Sequence, residues 1–166
     1  MKMGKKISFV YKNGLSFLML LGFFVISTGF VSNKSSEISE RKKRKNIVKT
    51  AQKYIGTKYR SGGKSEKGFD CSGFSFFVMK ENNVALKRSS RDQALQGEPV
   101  KIKKLQPGDL IFFASKDRVN HVGIISENQR NKLKMIHASS SRGIVEEDIL
   151  KSSYWKKRIK GGRSVL

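Results

Sequence analysis

Beyond residue 105 the apolar residues of this chain change their spacing, and that change limits the possible folds more than any other feature. Before it they recur at helical intervals. In NIVKTAQKYIG, Ile47, Val48, Ala51, Tyr54 and Ile55 fall at i, i+1, i+4, i+7 and i+8, and Gly56 supplies a stop. In DCSGFSFFVMKENN the apolar positions 71, 74, 77 and 78 repeat that period, with Asp70 as an N-cap that puts Cys71 in the first turn. SSRDQALQG follows as a short helix, capped by Ser89 or Ser90 and ended by Gly97. After Leu105, LQPGDLIFFA, VNHVGIIS and LKMIHASS are short apolar runs between turn residues, the pattern of antiparallel strands. Helices first and strands afterwards imply an α+β domain, with N-terminal helices packed on a central antiparallel β-sheet.

The 166 residues suit one domain and a short appendage, and the appendage is at the N-terminus. MKMGKKISFVYKNG is basic, and LSFLMLLGFFVISTGFV, Leu15 to Val31, is apolar and uncharged. A basic n-region followed by an h-region is an export signal, or, if uncleaved, an anchor of marginal spanning length. No cysteine stands at its end to take a lipid. Residues 1–31 are thus expected to be a signal peptide or anchor. Residues 32–45 should be a basic polar linker, and residues 46–166 the domain.

Charge narrows the partners. There are 35 Lys and Arg against 13 Asp and Glu, a net +22; five of the cations precede Ser35, where there is no acid, so the rest carries +17. Such a chain attracts polyanions. Export argues against nucleic acid and for an anionic cell wall or membrane surface. The basic runs Arg41 to Lys45 and Lys156 to Lys160 are expected as solvated faces, and nothing in the sequence specifies an oligomer.

The segment GFDCSGF, Gly68 to Phe74, holds the only cysteine. A lone thiol cannot close an internal disulfide, so it is either a small buried hydrophobe or a reacting group. At a helix start, free N–H groups and the positive end of the dipole favour thiolate. The only histidines, His121 and His137, lie in two expected strands. If those strands pair, both imidazoles can project from one face toward the cysteine helix, the second orienting the first. Taken singly, each reads more readily as a satisfied strand histidine than as a catalytic group. A zinc site is a third option, but the ligands lack the paired short spacing of structural zinc sites.

Together the segments resemble the NlpC family of papain-like bacterial cysteine peptidases, which cleave cell-wall peptides. IGTKYRSGGKSEKGFDCSGF, LKRSSRDQA, LQPGDLIFF, VNHVGII, MIHASSSRGIV and SSYWKKRI run in family order across the expected domain. The resemblance implies a papain-like fold with Cys71 as nucleophile, His121 as general acid/base and His137 as orienting third member. It implies that Tyr59 donates to the oxyanion beside the Cys71 backbone N–H. Asp70 and Ser72 would line a subsite for the free amine of a stem peptide, although cap and turn roles suit them as well. Arg88, Ser89 and Ser90 match a family segment without a catalytic role. Ser61 departs from the pattern, standing where many relatives have an aromatic residue. The implied reaction is hydrolysis of peptidoglycan stem peptides, typically between γ-D-glutamate and the diamino acid, through a thioester. No metal or organic cofactor is implied. A wall amidase or acyltransferase on the same fold, and an inactive wall-binding domain, are the alternatives.

Overall fold

The computed structural model describes residues 14–166; the basic segment 1–13, which opens the expected export signal, lies outside the described residues. Helix α1, Gly14–Lys53, is continuous through the expected boundary at residue 31 and through the expected linker. Two compact units divide within it: residues up to Ser39, and Glu40–Leu166. The second unit therefore begins ahead of the expected start at Asn46.

Helical periodicity corrects one expectation about the basic run. Residues 34–42 are exposed, but Arg44 turns inward and is buried. Its guanidinium pairs with Asp109 at 2.7 Å and Glu40 at 2.9 Å, and it donates to Ser164 Oγ at 3.0 Å. Ile47 and Ala51, three and seven residues on, are fully buried on the same side. The helix ends at Lys53, so Ile55 loses the period and is 48% exposed.

The loop that follows contains a small hairpin, β1 (Lys64–Ser65) with β2 (Gly68–Phe69), before α2 (Cys71–Glu81). Asp70 caps α2 as expected, its carboxylate accepting from the Gly73 N–H at 2.6 Å. The two glycines flanking the cysteine each answer a steric demand. Gly68 has φ +140°, and a Cβ at Gly73 would lie 1.9 Å from the Gly63 carbonyl oxygen. Close packing of the hairpin on the helix start is therefore available only to glycine. The short α3 (Ser90–Gln93) is capped by Ser89.

The sheet comprises β3 (Glu98–Val100), β4 (Leu110–Ser115), β5 (Arg118–Gln129), β6 (Lys132–Ser139), β7 (Gly143–Asp148) and, after the single-turn α4 (Ser153–Lys156), β8 (Ile159–Ser164). Its order is β3-β8-β4-β5-β6-β7, antiparallel throughout. The three expected strands form its centre. β3 is too short to signal itself, β7 is rich in acids and β8 carries two glycines, so their strand state depends on neighbours rather than on composition.

Both faces are covered. Ile47 and Ala51 of α1 and Phe74, Val78 and Met79 of α2 pack on Leu110, Phe112, Val122, Ile124, Ile136 and Ala138. The alternate residues Ile111, Phe113, Ile125 and Met135 form a second cluster with Leu105, Ile149 and Trp155. Strand alternation assigns His121 and His137 to this second face.

Candidate active site

Cys71, His121, His137 and Tyr59 line one cleft of about 470 Å³. Cys71 enters it from the first turn of α2, with its Sγ 3.9 Å from the Asn120 carbonyl oxygen of β5. Tyr59 reaches it because residue 59 bridges Phe69, two residues before the cysteine. The imidazoles come from adjacent strands, β5 and β6, and His121 Nε2 lies 2.9 Å from His137 Nδ1.

The polar chain does not stop at His137. Its Nε2 lies 2.7 Å from Glu147 Oε2 on β7. The same oxygen accepts from Trp155 Nε1 at 3.0 Å, and Arg142 donates to Oε1. Trp155 in turn stacks on His121, centroids 4.9 Å apart at 22°. Sequence reasoning missed Glu147, Trp155 and Arg142. Only the pairing of β7 with β6, His137 opposite Val145, brings the carboxylate within reach.

Protonation follows from this chain of bonds. Burial pushes the Glu147 carboxyl up, but the hydrogen bonds from Arg142, Trp155 and His137 outweigh it and hold it at about 2. An ionised carboxylate only accepts, so His137 Nε2 carries a proton. Burial lowers the His137 pKa, against the pull of Glu147, and keeps that ring neutral. Its Nδ1 then accepts from His121 Nε2–H, leaving His121 Nδ1 as the free basic nitrogen.

Burial also pushes His121 down to about 3, with the His137 ring adding to the effect. The thiol departs from expectation. Burial raises the Cys71 pKa and nearby Asp70 adds to it, outweighing the helix-start amides of Cys71 and Ser72 that pull the other way. These directions favour a thiol and a neutral imidazole over the thiolate that the helix start alone favours.

Asp70 and Ser72 lie beside the cysteine but do not line this cleft. Arg88 donates to both Asp70 oxygens, at 3.1 and 2.7 Å, and to Ser72 Oγ at 3.0 Å. Asp70 is thus engaged as helix cap and ion-pair partner. Gln93 is fully buried and structural, bridging Ser75 Oγ and the Ser72 and Lys87 carbonyls. Among the described residues, no group of three or more His, Cys, Asp or Glu is arranged to hold a metal ion.

An α+β domain that presents a helix-start thiol and a sheet-borne pair of imidazoles to one cleft has the layout of a cysteine peptidase. The NlpC/P60 family model matches residues 56–164, and the chain belongs to that family. The probable endopeptidase NlpC of Escherichia coli K12 is 37% identical, over 69% of this chain and 73% of its own. The γ-D-glutamyl-L-lysine dipeptidyl-peptidase of Bacillus subtilis 168 is 31% identical, with 93% of this chain and 58% of that protein aligned. Among solved structures, an NlpC/P60 family protein from Bacillus cereus ATCC 10987 superposes with TM-score 0.67 at 31% identity, covering 74% of this chain and 40% of that one. The chain thus spans little more than half the length of the dipeptidyl-peptidase and less than half of the solved chain.

Proposed function

We propose that this chain is an exported cysteine peptidase that hydrolyses peptidoglycan stem peptides between γ-D-glutamate and the diamino acid. The observation that carries the reading is the shared cleft, lined by Cys71 and by a His121–His137 pair bonded at 2.9 Å. The name of the B. subtilis relative supports the choice of bond. Residues 1–31 act as the export signal or anchor, and the +17 charge of residues 35–166 draws the protein to an anionic wall.

His121 Nδ1 takes the thiol proton as Cys71 Sγ attacks the scissile carbonyl. The oxyanion is held by the Tyr59 hydroxyl and the Cys71 backbone N–H. Protonated His121 then gives its proton to the leaving amine as the C–N bond breaks, and a thioester remains. Water deprotonated by His121 attacks the thioester, and the thiol leaves with its proton restored. His137 and Glu147 hold the His121 ring in the tautomer that this sequence requires.

The murein DD-endopeptidase MepS/murein LD-carboxypeptidase of E. coli K12, 38% identical over 67% of this chain and 57% of its own, carries a name that specifies other bonds. A panel of defined stem peptides, crosslinked and linear, read by mass spectrometry, separates the two. Cleavage after γ-D-glutamate, abolished by Cys71→Ala with folding retained, is the expected result. A cut at the crosslink alone would move the bond assignment. A Cys71→Ala variant as active as its parent would remove the cysteine mechanism.

A further inference from the structure

Building on the peptidase reading above, we propose that Arg158 binds a carboxylate on the leaving-group half of the substrate. The general acid must contact the leaving amine, so that half of the peptide lies against His121. Beyond His121 the cleft wall continues as a ladder of rings. Trp155 stacks on His121, Tyr154 meets Trp155 edge-on at 4.8 Å and 85°, and the Arg158 guanidinium sits 3.8 Å over the Tyr154 ring. One further bond, from Arg158 Nη1 to the Tyr154 carbonyl at 3.0 Å, pins the group in place.

This guanidinium has no acid to answer it. The cleft lining among the described residues includes one carboxylate, Glu147, which already receives His137, Trp155 and Arg142. Arg142 is thereby neutralised, whereas Arg158 forms no ion pair among the described residues and sits half-buried at the cleft wall. The expectation that Lys156 to Lys160 is merely a solvated face thus fails at its third residue. A half-buried cation with most of its N–H groups unspent, held flat by an aromatic ring, suits the planar fork of a carboxylate. Pre-organisation by the ring lowers the entropy lost on binding.

Two sources supply that chemistry on a leaving peptide: a side-chain carboxylate on the diamino acid, or the C-terminal carboxylate of a short leaving fragment. Four matched substrates distinguish them, with carboxylate or carboxamide at each position. For the wild-type chain, kcat/KM should favour carboxylate over carboxamide by about ten- to a hundredfold at one of the two positions, mostly through KM. The favoured position identifies the source. In Arg158→Gln that ratio should fall to within about twofold of unity, and Arg158→Lys, which keeps charge without the fork, should retain part of it. A wild-type enzyme that cuts all four substrates equally would overturn the assignment while leaving the peptidase reading intact. So would a preference that survives in Arg158→Gln. If the wild type cuts none of them, the peptidase reading itself fails and takes this one with it.

Discussion

Replacing Glu147 by Gln changes one oxygen to an amide nitrogen and should reverse the protonation of the whole chain of bonds behind the cleft. The carboxylate, 22% exposed, now accepts from three donors, and Gln offers only one acceptor. If its amide N–H₂ turns to His137, that ring must accept at Nε2 and donate from Nδ1. His121 then accepts at Nε2 and carries its proton on Nδ1, where the free base was. In a serine protease, forcing the wrong tautomer by replacing the triad aspartate with asparagine lowers kcat about ten-thousandfold. Here the substitution acts through an intervening ring, so the expected fall in kcat is about a hundred- to a thousandfold, with KM little changed. If the amide oxygen faces His137 instead, it also keeps the Trp155 bond, and the amide N–H₂ confronts only the exposed Arg142. It is in the first orientation that Trp155 Nε1–H loses its acceptor, at a cost of about 1–3 kcal/mol in stability. Steady-state kinetics on a stem peptide, urea unfolding and ¹⁵N chemical shifts of the two imidazoles separate these outcomes, and Glu147→Asp, which keeps the charge, should recover part of the rate. Turnover within twofold of the parent, with His137 Nδ1 still unprotonated, would refute the argument.

Two further predictions concern stability. His121 is held at about 3 in the fold but titrates near 6.5 when unfolded, so its contribution is complete above pH 6.5 and is lost as the pH falls below it. The slope is about 1.4 kcal/mol per pH unit for such a group. His121→Gln should remove about that much slope from denaturant-unfolding free energies between about pH 6 and 4.5, a window above the titration of Glu147; an unchanged slope would mean that the ring is not held neutral. Separately, Arg44→Met would strip Asp109, 1% exposed, of its cation and leave it the Gln106 N–H at 2.8 Å. Urea unfolding should show a loss of about 3–5 kcal/mol, largely recovered in Arg44→Met/Asp109→Leu; a loss below about 1 kcal/mol would show that the pair is not needed.

Much of the site is legible from local pattern. Asp70 reads as a cap and Cys71 as a first-turn residue because capping depends on neighbours three residues away. The histidine strands show themselves in their apolar runs, and they pair side by side as expected. Less accessible is any group whose role rests on a contact across the fold. Arg44 looks like one more cation in a basic run until helical phase turns it to Asp109, 65 residues distant. Likewise Arg88 lies 18 residues from the carboxylate it engages.

What the sequence by itself determined is the order of elements, the family, and which thiol and imidazoles are available, since helical and strand periods are written over a few consecutive residues. Only the tertiary structure decided that Glu147 terminates the histidine chain, that Trp155 stacks on His121, and that burial raises the pKa of the thiol. Those outcomes depend on strand register and on burial. Both come from packing distant segments together, so no window of neighbouring residues contains them.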